Sequence, residues 1–158
     1  MIKINKELTC KVAAGASVSG RKRMNFNFHT VPEDPVNRML NAVEPDAYFP
    51  PHKHTDLRKR EVFIILQGRV VALEFSDDGE VLDHIVMDPA EGNFGVEFPI
   101  GSWHSIIPLA KGSVLYEMKD GPYDPNEDKT FAEWAPSEND PNAFEFIDKM
   151  LYRLGIEK

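Results

Sequence analysis

The chain has 158 residues, enough for one domain with a real core, and 42% of them are apolar, so a folded chain is expected rather than a disordered one. Its formal net charge of −8 repels phosphate backbones and argues against nucleic acid as a partner. No stretch nears the roughly 20 apolar residues of a membrane span, the first residues lack a signal-peptide core, and the lone Cys10 suits a reducing compartment, so a cytoplasmic protein without a membrane partner is expected.

Residues 1–20 are ambiguous in sequence. Ile2, Ile4 and Leu8 fit a short strand or a helix leading to Ala13-Ala14. From Arg23 to His29 the pattern sharpens. Met24, Phe26 and Phe28 alternate with Asn25, Asn27 and His29, the period of a half-buried strand. Another strand is expected over 37–44. Strands follow over 62–67, 69–75 and 81–87, with Asp77-Asp78-Gly79-Glu80 as a hairpin turn. Further strands are expected around Phe94, Val96 and Phe98, over 103–107 and over 113–118. Short strands at this spacing, between turns rich in proline and glycine, predict an all-β sandwich or closed barrel. The run Gly121-Pro122-Tyr123-Asp124-Pro125 breaks the series. Asp140-Pro141 then reads as a helix start, and Phe144, Ile147, Leu151 and Leu154 recur at helical spacing before Gly155. The expected division is an N-terminal segment over 1–20, a barrel domain over 21–123 and an extension over 124–158 with a helix over 141–154.

The chemistry gathers in two segments. His52-Lys53-His54 puts two imidazoles on one face of a strand, because alternate residues share a face. A turn over 55–60 would return Glu61 to that pair. Glu61 opens the apolar run that ends at Gly68. Pro99-Ile100-Gly101-Ser102-Trp103-His104 then offers a turn that swings His104 inward. Three imidazoles and a carboxylate suit one divalent transition-metal ion, such as zinc, iron, manganese or nickel. A lone His-x-His is more often a surface pair. The full combination on a β-rich chain is what carries the assignment.

These two segments resemble the two cupin motifs: His-x-His with Glu and a following Gly, then Pro-x-Gly-x-x-His. The resemblance implies an all-β double-stranded β-helix barrel, a jelly roll, here with a C-terminal helix. The His54-to-Glu61 gap is two or three residues longer than usual, and Pro108 stands where an asparagine often closes the second motif. More narrowly, residues 21–29, 37–54, 121–123 and 131–136 resemble the WbuC family of cupin-fold metalloproteins. That resemblance implies a link to the synthesis of O-antigen and other surface polysaccharides. The region after Asp140 lies beyond it.

Other polar residues are candidates for the pocket. Arg23, Asn25 and Asn27 share the strand face with His29 and are expected to bind substrate if that face is the inner one; alternation leaves open which face is inside. His29 and Tyr116 are the candidate proton-transfer residues, Tyr116 competing with Glu117 for the inward position. Tyr123 is expected to pack or to cover the pocket, and Trp103 to sit in the core or an interface. The basic runs Arg21-Lys22-Arg23 and Arg58-Lys59-Arg60 are either solvated turns or a source of positive potential for an anionic ligand. The expected function is a metal-dependent isomerase or epimerase acting on a sugar-derived small molecule; the alternative is a non-catalytic binding module for a small ligand or a metal. The strand over 62–67, apolar on both faces, and the C-terminal helix predict a homodimer.

Overall fold

The computed structural model describes residues 1–54, 59–124 and 129–157. In chain order the elements are α1 (Lys6–Val18), β1 (Arg23–Asn27), β2 (Val36–Val43), β3 (His52–Lys53), β4 (Glu61–Gln67), β5 (Val70–Phe75), β6 (Val81–Met87), a 3-10 turn (Pro89–Glu91), β7 (Gly95–Phe98), β8 (Trp103–Pro108), β9 (Ser113–Asp120), β10 (Thr130–Phe131) and α2 (Ala143–Leu154). Two five-stranded antiparallel sheets form, in the orders β1-β2-β9-β4-β7 and β10-β3-β8-β5-β6. This is the cupin jelly roll.

The strand expectations hold closely, and the reason is alternation. Phe63, Ile65, Phe98 and Leu115 of the first sheet meet Val70, Ala72 and Ile106 of the second in one buried cluster. Residues at the odd positions of β5 point the other way. Val71, Leu73 and Phe75 leave the barrel interior and join Ile147, Met150 and Leu151 of α2. The helix thus explains why β5 is apolar on both faces. A two-sided apolar strand has to be covered twice.

The ambiguous N-terminus is a helix. Asn5 caps it by accepting the Leu8 N–H at 3.1 Å, and Leu8, Val12 and Ala16 recur at four-residue steps. That stripe covers Leu40, Ala42 and Val114 on the outer face of the first sheet. At the other end, α2 begins later than expected. Asn142 is its N-cap, while Asp140 accepts the Asn142 N–H at 2.8 Å. The expected stripe is shifted too. Phe144 is exposed, and Ala143 and Met150 take buried places beside Ile147 and Leu151. On β4, Phe63 and Ile65 are buried inside, whereas Val62 and Ile64 are half-buried and Leu66 is exposed. Among the described residues, no helix is long and apolar enough to cross a membrane.

Candidate metal centre

Both sheets contribute to the cluster. His52 on β3 pairs with His104 on β8, and Glu61 opens β4 across the barrel. His54 follows β3 directly. One nitrogen or oxygen from each of His52, His54, Glu61 and His104 lies within 4.8 Å of the others, and all four residues are buried. Glu61 Oε2 is the hub, 2.9 Å from His54 Nε2 and 2.8 Å from His104 Nε2. The turn expected to return Glu61 lies mostly over 55–58, outside the described residues.

The remaining ring nitrogens decide which atoms face the centre. His52 Nδ1 lies 3.0 Å from the Pro50 carbonyl, and His104 Nδ1 lies 3.0 Å from that of Ser102. An Nδ1–H donated to a carbonyl leaves Nε2 as the free lone pair, the arrangement by which proteins orient metal-binding imidazoles. His52 Nε2 is buried and has no hydrogen-bond partner. A buried imidazole nitrogen without a partner is costly unless something else satisfies it. The donor set, three imidazoles and a carboxylate, fits a divalent transition metal.

Burial, followed by the positive charge of Lys129, holds His52 well below the ordinary histidine value. Burial alone would push Glu61 up, but hydrogen bonds from His104 and His54 and the charges of His104 and Lys129 hold it well below the usual carboxylate range.

Beside the cluster lies a cavity of about 410 Å³ along the inner face of β1, β2 and β9. Arg23, Asn25, Asn27 and His29 all line it, so their strand face is the inner one. Arg23 is engaged there by Glu138 Oε1 at 2.8 Å and by the Phe49 ring, its guanidinium carbon 4.6 Å from the centroid. Arg21 also bonds Glu138. His29 Nδ1 lies 3.1 Å from the Arg38 N–H nitrogen. Tyr123 lines the cavity as well. Arg60 is held on the surface by Asp120 at 2.7 Å, Lys59 is buried, and Arg58 lies outside the described residues. Trp103 packs with Trp134 and donates to Asp77 at 2.9 Å.

Tyr116 is the misplaced expectation. It stands opposite Leu40 and Ile64, on the outer face of the first sheet, with its ring 5.6 Å from that of Phe28. Its neighbour Glu117 takes the inward position, buried, lining the cavity and accepting a short hydrogen bond from Asn41. Alternation allowed only one of the two to face the cluster, and the buried apolar surface under α1 claimed the aromatic ring. A glutamate in the middle of an apolar strand was the signal that could have found Glu117.

Burial, and then the charge of Glu61, push the Glu117 carboxyl up to about 8. A folded value above the unfolded one means that the folded state holds the extra proton. That contribution to stability is complete below about 4.5 and is lost as pH rises through about 8. In chelator-treated protein, Glu117→Gln should therefore gain stability relative to wild type as pH rises across this range. Urea unfolding at a series of pH values checks it; parallel profiles for the two proteins would count against the shift. A bound cation would draw the Glu117 value back down.

Solved structures share the fold. CapF with the inhibitor 3-isopropenyl-tropolone matches at a TM-score of 0.59 and 23% identity, over 73% of this chain and 33% of that one. Capsular polysaccharide assembling protein CapF from Staphylococcus aureus matches at 0.58 and 23%, over 73% and 31%. The protein TT1209 from Thermus thermophilus matches at 0.54 and 14%, over 76% and 97%. This chain spans about a third of the length of CapF. No curated protein matches the sequence. The model of one family, described as a domain of unknown function (DUF6016), matches residues 4–87, more than half of the chain, and the chain belongs to that family.

Proposed function

We propose that this protein is a metal-binding cupin of the WbuC kind that acts on a sugar-derived, anionic small molecule in the cytoplasm, as an isomerase or epimerase in surface-polysaccharide synthesis. The observation that carries the metal is the buried, unpartnered His52 Nε2 facing a carboxylate shared by two further imidazoles. His52, His54, Glu61 and His104 would hold one divalent ion, which supplies Lewis acidity toward a carbonyl or hydroxyl oxygen. The polysaccharide setting rests on the segments resembling WbuC proteins and on the fold shared with CapF, a capsular polysaccharide assembling protein.

The chain's own residues supply the rest. Lys119 and Lys129 line a cavity whose described lining holds one carboxyl, Glu117, in a chain of net charge −8. That local reversal of sign favours an anion. Arg23, Asn25 and Asn27 present donors and acceptors to polar substituents. His29 lines the same wall, and its imidazole is the candidate proton-transfer group there. If it transfers a proton in turnover, His29→Gln should keep the metal and lose about 10²–10⁴ in rate. Proton exchange of keto-sugars and sugar nucleotides in deuterated water, with metal-loaded wild type and variant side by side, tests this. No exchange by the wild type on any of them favours the second reading, a non-catalytic binding module with the same cavity.

The half-buried Val62 and Ile64 and the exposed Leu66 form an apolar strip on the outer face of β4. A homodimer would bury it. Sedimentation should show a dimer at micromolar concentration, and Leu66→Glu should shift it toward monomer. A monomeric wild type at every concentration contradicts the dimer.

A further inference from the structure

The inward side chains of β9 tie the cavity to the metal cluster. On that strand Leu115 reaches the inter-sheet core, while Glu117 and Lys119 line the cavity. Glu117 pairs across the ladder with Phe63, and Lys119 pairs with Glu61. Glu117 is thus the diagonal neighbour of Glu61 on the inner face. Diagonal neighbours lie about 7–8 Å apart at the backbone, within reach of two long side chains. Both carboxyl side chains are buried at these neighbouring inward positions, and Asn41 holds Glu117 by donating to one of its oxygens.

Two carboxyl side chains at diagonal inward positions can bring oxygens to one ion, and the four-residue donor cluster that includes Glu61 is where a divalent cation would sit. Asn41 donates to Glu117 Oε2, which leaves Oε1 available to another partner. Lys119 and Lys129 add charge around the pair without standing in the ligand set.

From this juxtaposition we infer that Glu117 is a fifth protein donor to the ion, reaching it from the cavity side. The inference rests on the metal reading above and deepens it. His52, His54, Glu61 and His104 would form the floor of the site, and Glu117 would add a fifth arm from the cavity side. An anionic ligand entering from the cavity would exchange one carboxylate for another oxygen donor. Asn41 would then keep the displaced carboxyl inside the wall.

The test counts water on the ion. Manganese(II) prefers six-coordinate, oxygen-rich surroundings. With five protein donors, the wild type loaded with manganese(II) should hold one exchangeable water; with four it should hold two. Electron spin-echo modulation in deuterated water makes that count without any variant. Glu117→Gln, which preserves shape and the Asn41 contact, should hold one water more than wild type. Its manganese affinity in competition with a chelator should fall at least tenfold. Equal water counts in wild type and Glu117→Gln overturn the inference, even if affinity falls, because a residue that merely orients Glu61 would weaken the metal without opening a position. Two waters on the wild-type ion overturn it as well. A wild type that takes up no metal sinks the metal reading itself, a result distinct from either.

Discussion

Replacing His52 and His54 together with alanine should take the metal content from close to one ion per chain to close to none. The pair supplies two of the four donors grouped within 4.8 Å of one another. The two that remain, Glu61 and His104, are also bonded to each other at 2.8 Å, so without an ion they satisfy themselves. Metal binding that favours the folded state adds about 2.7 kcal/mol at a free metal concentration a hundredfold above Kd. The thermal stabilisation of wild type by metal should therefore vanish in the double variant. Elemental analysis and thermal unfolding, with and without chelator, check both parts. Equal metal content in the two proteins would remove these histidines from the site.

Gly68→Ala should be the most damaging single methyl in the barrel, at about 3 kcal/mol or more. Two independent costs meet there. Gly68 has φ of +82°, a left-handed conformation that costs an L side chain about 1–2 kcal/mol. Its added Cβ would also stand 2.3 Å from Ser113 Oγ and 2.7 Å from Ser113 Cα. Ser113 is fully buried and cannot yield cheaply. Its hydroxyl donates to the Ala110 carbonyl at 2.7 Å and accepts the Arg69 N–H at 3.2 Å. Gly92 separates the two terms. Its φ is +80°, and an added Cβ there meets nothing within 4 Å. Gly92→Ala should thus cost only the conformational part. Urea unfolding of both variants reads the difference, and equal losses would show that the contact with Ser113 carries no weight.

The barrel was legible because alternation and turn residues are local signals. Met24, Phe26 and Phe28 marked β1, and His-x-His, Glu61 and Pro-x-Gly-x-x-His marked the cluster without any knowledge of the sheet order. What escaped was set by packing at a distance. The N-terminal stripe of Leu8, Val12 and Ala16 is weakly amphipathic, and it becomes a helix against Leu40 and Val114, residues far along the chain. Whether Tyr116 or Glu117 faced inward depended on the β9 register, which sequence alone does not give. Asn41 and Lys119 read as ordinary strand residues. They matter because the ladder sets Asn41 opposite Leu115 and Lys119 opposite Glu61, on the wall that Glu117 shares.

The most direct measurement is a crystal structure of protein grown with transition metal in the medium, with diffraction recorded on both sides of the absorption edges of zinc, iron, manganese and nickel. The expected result is one anomalous peak bonded to Nε2 of His52, His54 and His104 and to Glu61 Oε2. A peak elsewhere, or a metal-free cluster in protein saturated with each of these ions, would contradict it.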